Sequence, residues 1–140
     1  MAFDAFLKLD GIDGESLDRQ YEKWIEVLSF SWGATNSGAA AGGGGAGAGK
    51  VSFQDFHFVV NFGKASPELL KRCSTGEHIK TGVLAVRKAG EKPLDFYKVR
   101  MTDILVSSYQ DGGAGEIPVD QVSLNFAAVA LEVSQQSPTG

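Results

Sequence analysis

The sequence predicts a mainly β fold, a single-domain β-barrel with one short flanking α-helix. Apolar residues recur with the two-residue period of strands, clusters of Gly, Pro and Asp separate these runs, and only one segment has the start and stop signals of a helix. A chain of 140 residues is long enough to bury one core. Regularly spaced strands close into a barrel or stack as a sandwich, and closure removes exposed sheet edges.

Alternation predicts the first two strands. Residues 2–9 place every second side chain on an apolar face. That face consists of Phe3, Ala5, Leu7 and Leu9. Residues 25–32 alternate in the same way, so their two faces differ in chemistry. One face, expected to contact the core, carries Leu28, Phe30 and Trp32, and the opposite face carries Ser29 and Ser31.

A third strand and the helix are predicted in the middle of the chain. The parity of the apolar positions changes within residues 51–60, so we expect a β-bulge near residues 54–55. Ser66 is a good N-cap, Pro67 suits the first helical position, and Gly76 is a typical stop. These signals predict a helix of about three turns.

The remainder of the chain predicts further strands. They cover residues 83–87, 96–106 and 121–133, with turns at residues 90–93 and 111–115 between them. We expect the domain to span residues 1–134. The tail, residues 135–140, has no apolar pattern and is expected to be frayed.

The charge and the cysteine content limit the functions that this chain can have. The net charge is −4 with both signs interspersed, whereas a nucleic-acid surface needs a concentrated basic face. Cys73 is the only cysteine, so the chain cannot form an internal disulfide or a CxxC pair. No signal peptide is recognisable, and no apolar run approaches the roughly 20 residues of a membrane span. We expect protein partners, no nucleic acid, no membrane insertion and no cofactor.

Residues 38–49 contain only glycine and alanine. The glycines of this segment are the residues that could approach another backbone closely, and we predict contacts at Gly42, Gly43, Gly44, Gly45, Gly47 and Gly49. The run also resembles part of a phosphate-binding P-loop, but Val51 follows Lys50 where that motif needs Ser or Thr and a helix. Nucleotide binding is therefore not expected. The segment is either a flexible tether or lies closely against another backbone.

Candidates for a catalytic nucleophile and base are Cys73, His57 and His78. Cys73 shares helical spacing with Leu69 and Leu70, which predicts a buried helix face rather than a reactive thiol. The sequence contains no HExxH or GxSxG motif and no metal-ligand cluster. We expect no catalytic, cofactor-binding or metal-binding residues, and no enzymatic activity.

Several separated blocks along the chain carry a resemblance to a known family. In the first half they are residues 14–16, 25–33 and 51–55, with the Gly/Ala segment between the last two. In the second half they are residues 66–76, 86–90, 104–108 and 122–126. In this order the blocks resemble the haemolysin-coregulated protein (Hcp) family, over residues 2–133.

This resemblance implies a structural role. Hcp proteins form the inner tube of the bacterial type VI secretion system, in which six copies close into a ring and the rings stack. A contractile sheath expels the tube together with a spike protein and effectors. The protein would be assembled in the bacterial cytoplasm and then secreted by this system without a cleavable signal peptide.

The resemblance also implies roles for two parts of the chain. Ser29 and Ser31 would face the lumen and contact effectors, and residues 34–50, with the glycines named above, would lie between stacked rings. Simpler alternatives remain, because strands generally have one solvated face and Gly-rich segments are flexible by default. A different function is a non-polymerising effector-binding or chaperone module of the same fold.

Overall fold

The computed structural model describes residues 3–38, 50–88 and 94–134. Its elements are β1 Phe3–Leu9, β2 Ile25–Val27, β3 Ser29–Asn36, β4 Val51–Asn61, α1 Ser66–Thr75, β5 Ile79–Lys88, β6 Leu94–Gly112 and β7 Val119–Val133. The predicted mainly β class with a short helix is confirmed.

The strands form one antiparallel sheet of seven strands in the order β2-β1-β5-β6-β7-β4-β3. Its two edge strands, β2 and β3, are joined by Leu28 alone. A single residue spans less than about 4 Å per Cα step, so the two edges of the sheet must meet at this point. The backbone N–H of Leu28 donates to the carbonyl of Val59 on β4, at 2.8 Å. The sheet is therefore strongly curled, as the barrel prediction required.

The strand predicted over residues 25–32 is in fact two strands. β2 buries its odd-numbered positions, whereas β3 turns its even-numbered residues, Phe30 and Trp32, toward the core. The prediction that Leu28 faces the core is wrong, because its side chain is 55% exposed. Leu28 lies where the chain crosses from one edge of the sheet to the other, and the inward parity changes there.

The predicted β-bulge is present in β4. Asp55 and Phe56 together oppose Trp32 alone on β3, so β4 has one extra residue in this ladder. The extra residue corrects the parity, so that Phe56 is buried while His57 lies on the opposite face.

The long hairpin of β6 and β7 also changes its inward face. On β6, Val99 and Met101 are buried, but so are Ile104 and Val106, which have the opposite parity. Asp103 lies between them with a positive φ of 53°. The first half of β6 pairs with β5, while its second half, residues 105–112, continues the surface formed by β7, β4 and β3.

A second, smaller cluster lies on the other face of β1. Phe6 stacks on Tyr21 with ring centroids 4.7 Å apart, and Tyr21 forms a T-shaped pair with Trp24. The Arg87 guanidinium lies 5.1 Å from the Phe6 ring centroid and pairs with Asp18 at 2.7 Å. Its hydrogen bonds lower the pKa of Asp18 to about 2. Alternation had placed Phe3 on the apolar face of β1 and Phe6 on the opposite face, but Phe3 is 47% exposed whereas Phe6 is buried.

The helix begins differently from the prediction. Its N-cap is Ala65, and Ser66 is the first helical residue, so Pro67 occupies the second position. The predicted stop is confirmed, because Gly76 has a φ of 74° and its N–H donates to the carbonyl of Arg72.

Ser66 does not cap the helix, because it is the first helical residue. Its hydroxyl accepts a hydrogen bond from the Gly63 N–H at 3.0 Å. It donates to the Oδ2 atom of Asp120 at 2.5 Å, and both residues are buried. Asp120 pairs across the hairpin with Asp111. Burial, reinforced by Asp111, raises the pKa of Asp120, and burial raises the pKa of Tyr109 to about 12. This contact fixes the start of α1 to β7.

Candidate functional site

Ser29 and Ser31 lie on the exposed face of β3, as predicted. β3, β4, β7 and β6 are neighbours in the sheet, so these serines belong to rows that cross four strands. Ser31 pairs with His57 on β4. His57 pairs in turn with Ser123 on β7, and Ser123 pairs with Ser108 on β6.

The neighbouring row begins at Ser29. Ser29 pairs with Val59, and Val59 pairs with Gln121 on β7. Gln121 pairs with Gln110 on β6. The four residues lie on the same side of the sheet as the Ser31 row because each is two positions from a member of that row.

A third group lies beside these rows at the bulge of β4. The Oδ2 atom of Asp55 accepts a hydrogen bond from the Ser107 hydroxyl at 2.6 Å. The Oδ1 atom accepts one from the Asn125 side-chain amide at 3.0 Å. Two neutral donors therefore fix this carboxylate.

The polar side chains of these three groups form a surface that we call the polar outer face. Its members are Ser29, Ser31, Asp55, His57, Ser107, Ser108, Gln110, Gln121, Ser123 and Asn125. Most carry hydroxyl or amide groups, and His57 Nδ1 lies 3.1 Å from the Ser123 hydroxyl. Such a surface can form many weak hydrogen bonds.

The candidates for catalysis are in separate environments. Cys73 is half-buried against the core, whereas His78 is exposed with Nδ1 2.6 Å from the Asp103 carboxylate. No hydrogen bond joins Cys73 to a histidine within the described residues. The prediction that Leu70 shares the buried face of α1 is wrong, because its side chain is 51% exposed.

Other predicted features are only partly covered by the structure. The glycines of the predicted contact segment lie outside the described residues, as does the tail at residues 135–140. In the described ranges, no group of three or more His, Cys, Asp or Glu side chains is arranged to hold a metal ion. None of the described helical residues form a helix long and apolar enough to cross a membrane.

Comparison with known proteins decides the family. A family model described as "Type VI secretion system effector, Hcp" matches residues 6–133. This chain belongs to the Hcp family. The protein hcp1 of Pseudomonas aeruginosa is 39% identical over 143 residues, an alignment that covers 100% of this chain and 88% of that relative. The resemblance found in the sequence blocks is thereby confirmed.

Solved Hcp structures share the fold. Hcp1 from Salmonella typhimurium superposes with a TM-score of 0.82 at 35% identity, covering 95% of this chain and 88% of that one. A type VI secretion system effector from Yersinia pestis gives a TM-score of 0.81 at 32% identity, with coverages of 95% and 92%. Another type six secretion system protein gives 0.90 at 31% identity, with coverages of 99% and 88%. Hcp proteins are secreted proteins of this system.

Sequence reasoning identified only the β3 part of the polar outer face. The register that brings Ser123 beside His57 joins residues 66 positions apart. The alternation of Gln121, Ser123 and Asn125 with apolar residues is a local signal for one polar strand face. It does not reveal which strands become its neighbours.

Proposed function

We propose that this chain is a structural subunit of the type VI secretion tube. Six copies close into a ring, rings stack, and the tube carries effectors in its lumen while a contractile sheath expels it together with the spike protein. The subunit is assembled in the cytoplasm and then secreted, and no catalytic step is assigned to it. The observation that carries the proposal is the match to Hcp proteins in sequence and fold over nearly the whole chain.

The polar outer face is proposed as the lumen wall. A closed ring requires each subunit to present two different surfaces to its neighbours, which leaves one face for the centre. Small hydroxyl and amide side chains suit a passage, since they bind a passing protein weakly and can exchange hydrogen bonds with water. Ser29 and Ser31 are proposed as effector contacts within this face.

Residues 34–50 are proposed as the contact between stacked rings. Where the described chain stops on either side of the Gly/Ala run, its two ends are held together. Asn36 pairs with Val51, the Ser37 N–H donates to the Lys50 carbonyl at 3.1 Å, and the Lys50 N–H donates to the Ser37 hydroxyl at 3.1 Å. The contact is assigned to Gly42, Gly43, Gly44, Gly45, Gly47 and Gly49, because glycine allows close backbone approach.

Negative-stain electron microscopy of the purified protein tests the assembly. We expect six-fold rings with an open centre, some of them stacked, and a variant that lacks residues 39–48 should form rings without stacks. Only small compact particles at every concentration would favour the non-polymerising binding module. Stacked rings that persist in the deletion variant would contradict the stacking contact and show that the Gly/Ala segment is a flexible tether.

Substitution of Ser31 by tryptophan tests the lumen assignment. The indole would occupy space above the Ser31 and His57 pair, so we expect co-purification of a co-expressed effector to fall severalfold while rings remain intact. Ser74→Trp is a matched control, because Ser74 is an exposed serine on α1. Unchanged effector retention in Ser31→Trp, or an equal loss in both variants, would contradict the assignment.

A further inference from the structure

The strands that carry the polar outer face have an uneven charge distribution. The strand segments are residues 29–36, 51–61, 105–112 and 119–126. None of them contains a lysine or arginine, although the chain has 13 such residues. They do contain three carboxylates, of which Asp120 is buried, Asp111 is exposed, and Asp55 lies on the polar outer face.

Asp55 is held in place without being neutralised. Both of its oxygens accept hydrogen bonds from uncharged donors, on Ser107 and Asn125. None of the ion pairs among the described residues includes Asp55. A fixed carboxylate on a surface without cations produces a local negative potential. At physiological ionic strength that potential extends over about 8 Å before it is screened.

We propose that the polar outer face binds its protein partners through a positively charged segment, and that Asp55 selects that segment. Lysine and arginine side chains are the groups that an unneutralised carboxylate attracts, and a partner rich in Asp or Glu is repelled. The hydroxyl and amide groups around Asp55 accept and donate hydrogen bonds to either type of partner, so they add contact without charge preference.

This inference rests on the proposed function, because it states which effectors the lumen would bind. In a six-fold ring the preference for positively charged segments would be strengthened. Six copies of Asp55 would face the same lumen, and a cationic segment could contact several of them at once, which raises the apparent affinity without any new kind of contact. The charge preference itself belongs to one subunit, because the carboxylate and both of its donors lie in the same chain.

Two short fluorescent peptides test the selection, one of alternating lysine and serine and one of alternating glutamate and serine. Fluorescence anisotropy should show that the lysine peptide binds the full-length protein about tenfold more tightly than the glutamate peptide, and that this advantage falls at high salt. Asp55→Asn should remove most of the advantage. Glu22→Gln removes the same charge from an exposed site in the loop before β2 and should keep it.

A second variant guards against misfolding of Asp55→Asn. Gln121 is exposed on the same face, and Gln121→Lys adds a cation there without changing the contacts of Asp55. It should also weaken binding of the lysine peptide. Equal binding of the two peptides, or equal losses in Asp55→Asn and Glu22→Gln, would overturn the inference.

Sedimentation velocity on the same samples separates this inference from the tube proposal. Rings that show no Asp55-dependent preference for the lysine peptide would refute the charge selection without contradicting the tube proposal. A monomeric protein that still prefers the lysine peptide through Asp55 would support the selection and refute the ring.

Discussion

Truncation of Phe56 to alanine should lower the free energy of unfolding by about 3–5 kcal/mol. The Phe56 side chain is fully buried, and its ring centroid lies 6.0 Å from those of both Phe30 and Phe58. Alanine would leave a cavity beneath the β3 and β4 pair. A curled sheet whose edges meet cannot easily collapse to fill it, so both the lost burial and the cavity destabilise the fold.

Urea denaturation at a constant m-value measures this difference. Phe53→Ala is the matched control, since Phe53 lies on the same strand but is 51% exposed, and its ring forms a T-shaped pair with Phe126 at a centroid distance of 5.9 Å. We expect that control to lose about 1 kcal/mol or less. Similar losses in both variants would mean that β4 does not bury Phe56 as the structure describes.

The sequence predicted those features that depend on a few neighbouring residues. Alternation located most strands, the parity change in residues 51–60 predicted the bulge in β4, and Gly76 marked the end of the helix. Each of these follows from the two-residue period of strands or from the backbone freedom of glycine.

Two of the wrong predictions, for Ser66 and Leu28, share a non-local cause. Ser66 has the local signature of an N-cap, but its hydroxyl bonds Asp120, which is 54 positions away. Leu28 continues the alternation of residues 25–32, but the chain changes sheet edges there. In both cases tertiary structure gives the residue a role that its neighbours in the sequence do not indicate.

The candidate site shows the same limit. Alternation correctly placed Ser29 and Ser31 on an exposed face, because it requires only the local period of β3. The donors that hold Asp55 come from β6 and β7, at separations of 52 and 70 positions. The negative character of the polar outer face therefore becomes visible only once the order of the strands in the sheet is known.

Substitution of Gly14 by alanine is the second change with a large expected effect on stability. A Cβ atom at this position would lie 2.5 Å from the carbonyl oxygen of Trp24 and 2.6 Å from the Cα of Ile25. Both are backbone atoms, so no side-chain rotation relieves the clash. The Gly14 N–H also donates to the Lys23 carbonyl at 2.7 Å, which holds the two backbones together.

We expect Gly14→Ala to destabilise the protein by about 3 kcal/mol, at the upper end of the range for overpacking. Gly112→Ala is the control, because a Cβ atom there meets no heavy atom within 4 Å, and its effect should stay within about 0.5 kcal/mol. Thermal and urea unfolding of both variants measures the difference.

Because Ile25 begins β2, and β2 leads through Leu28 into β3, displacement of this backbone should also disturb the polar outer face. Equal stability of the two variants would show that the close approach at Gly14 does not constrain the fold.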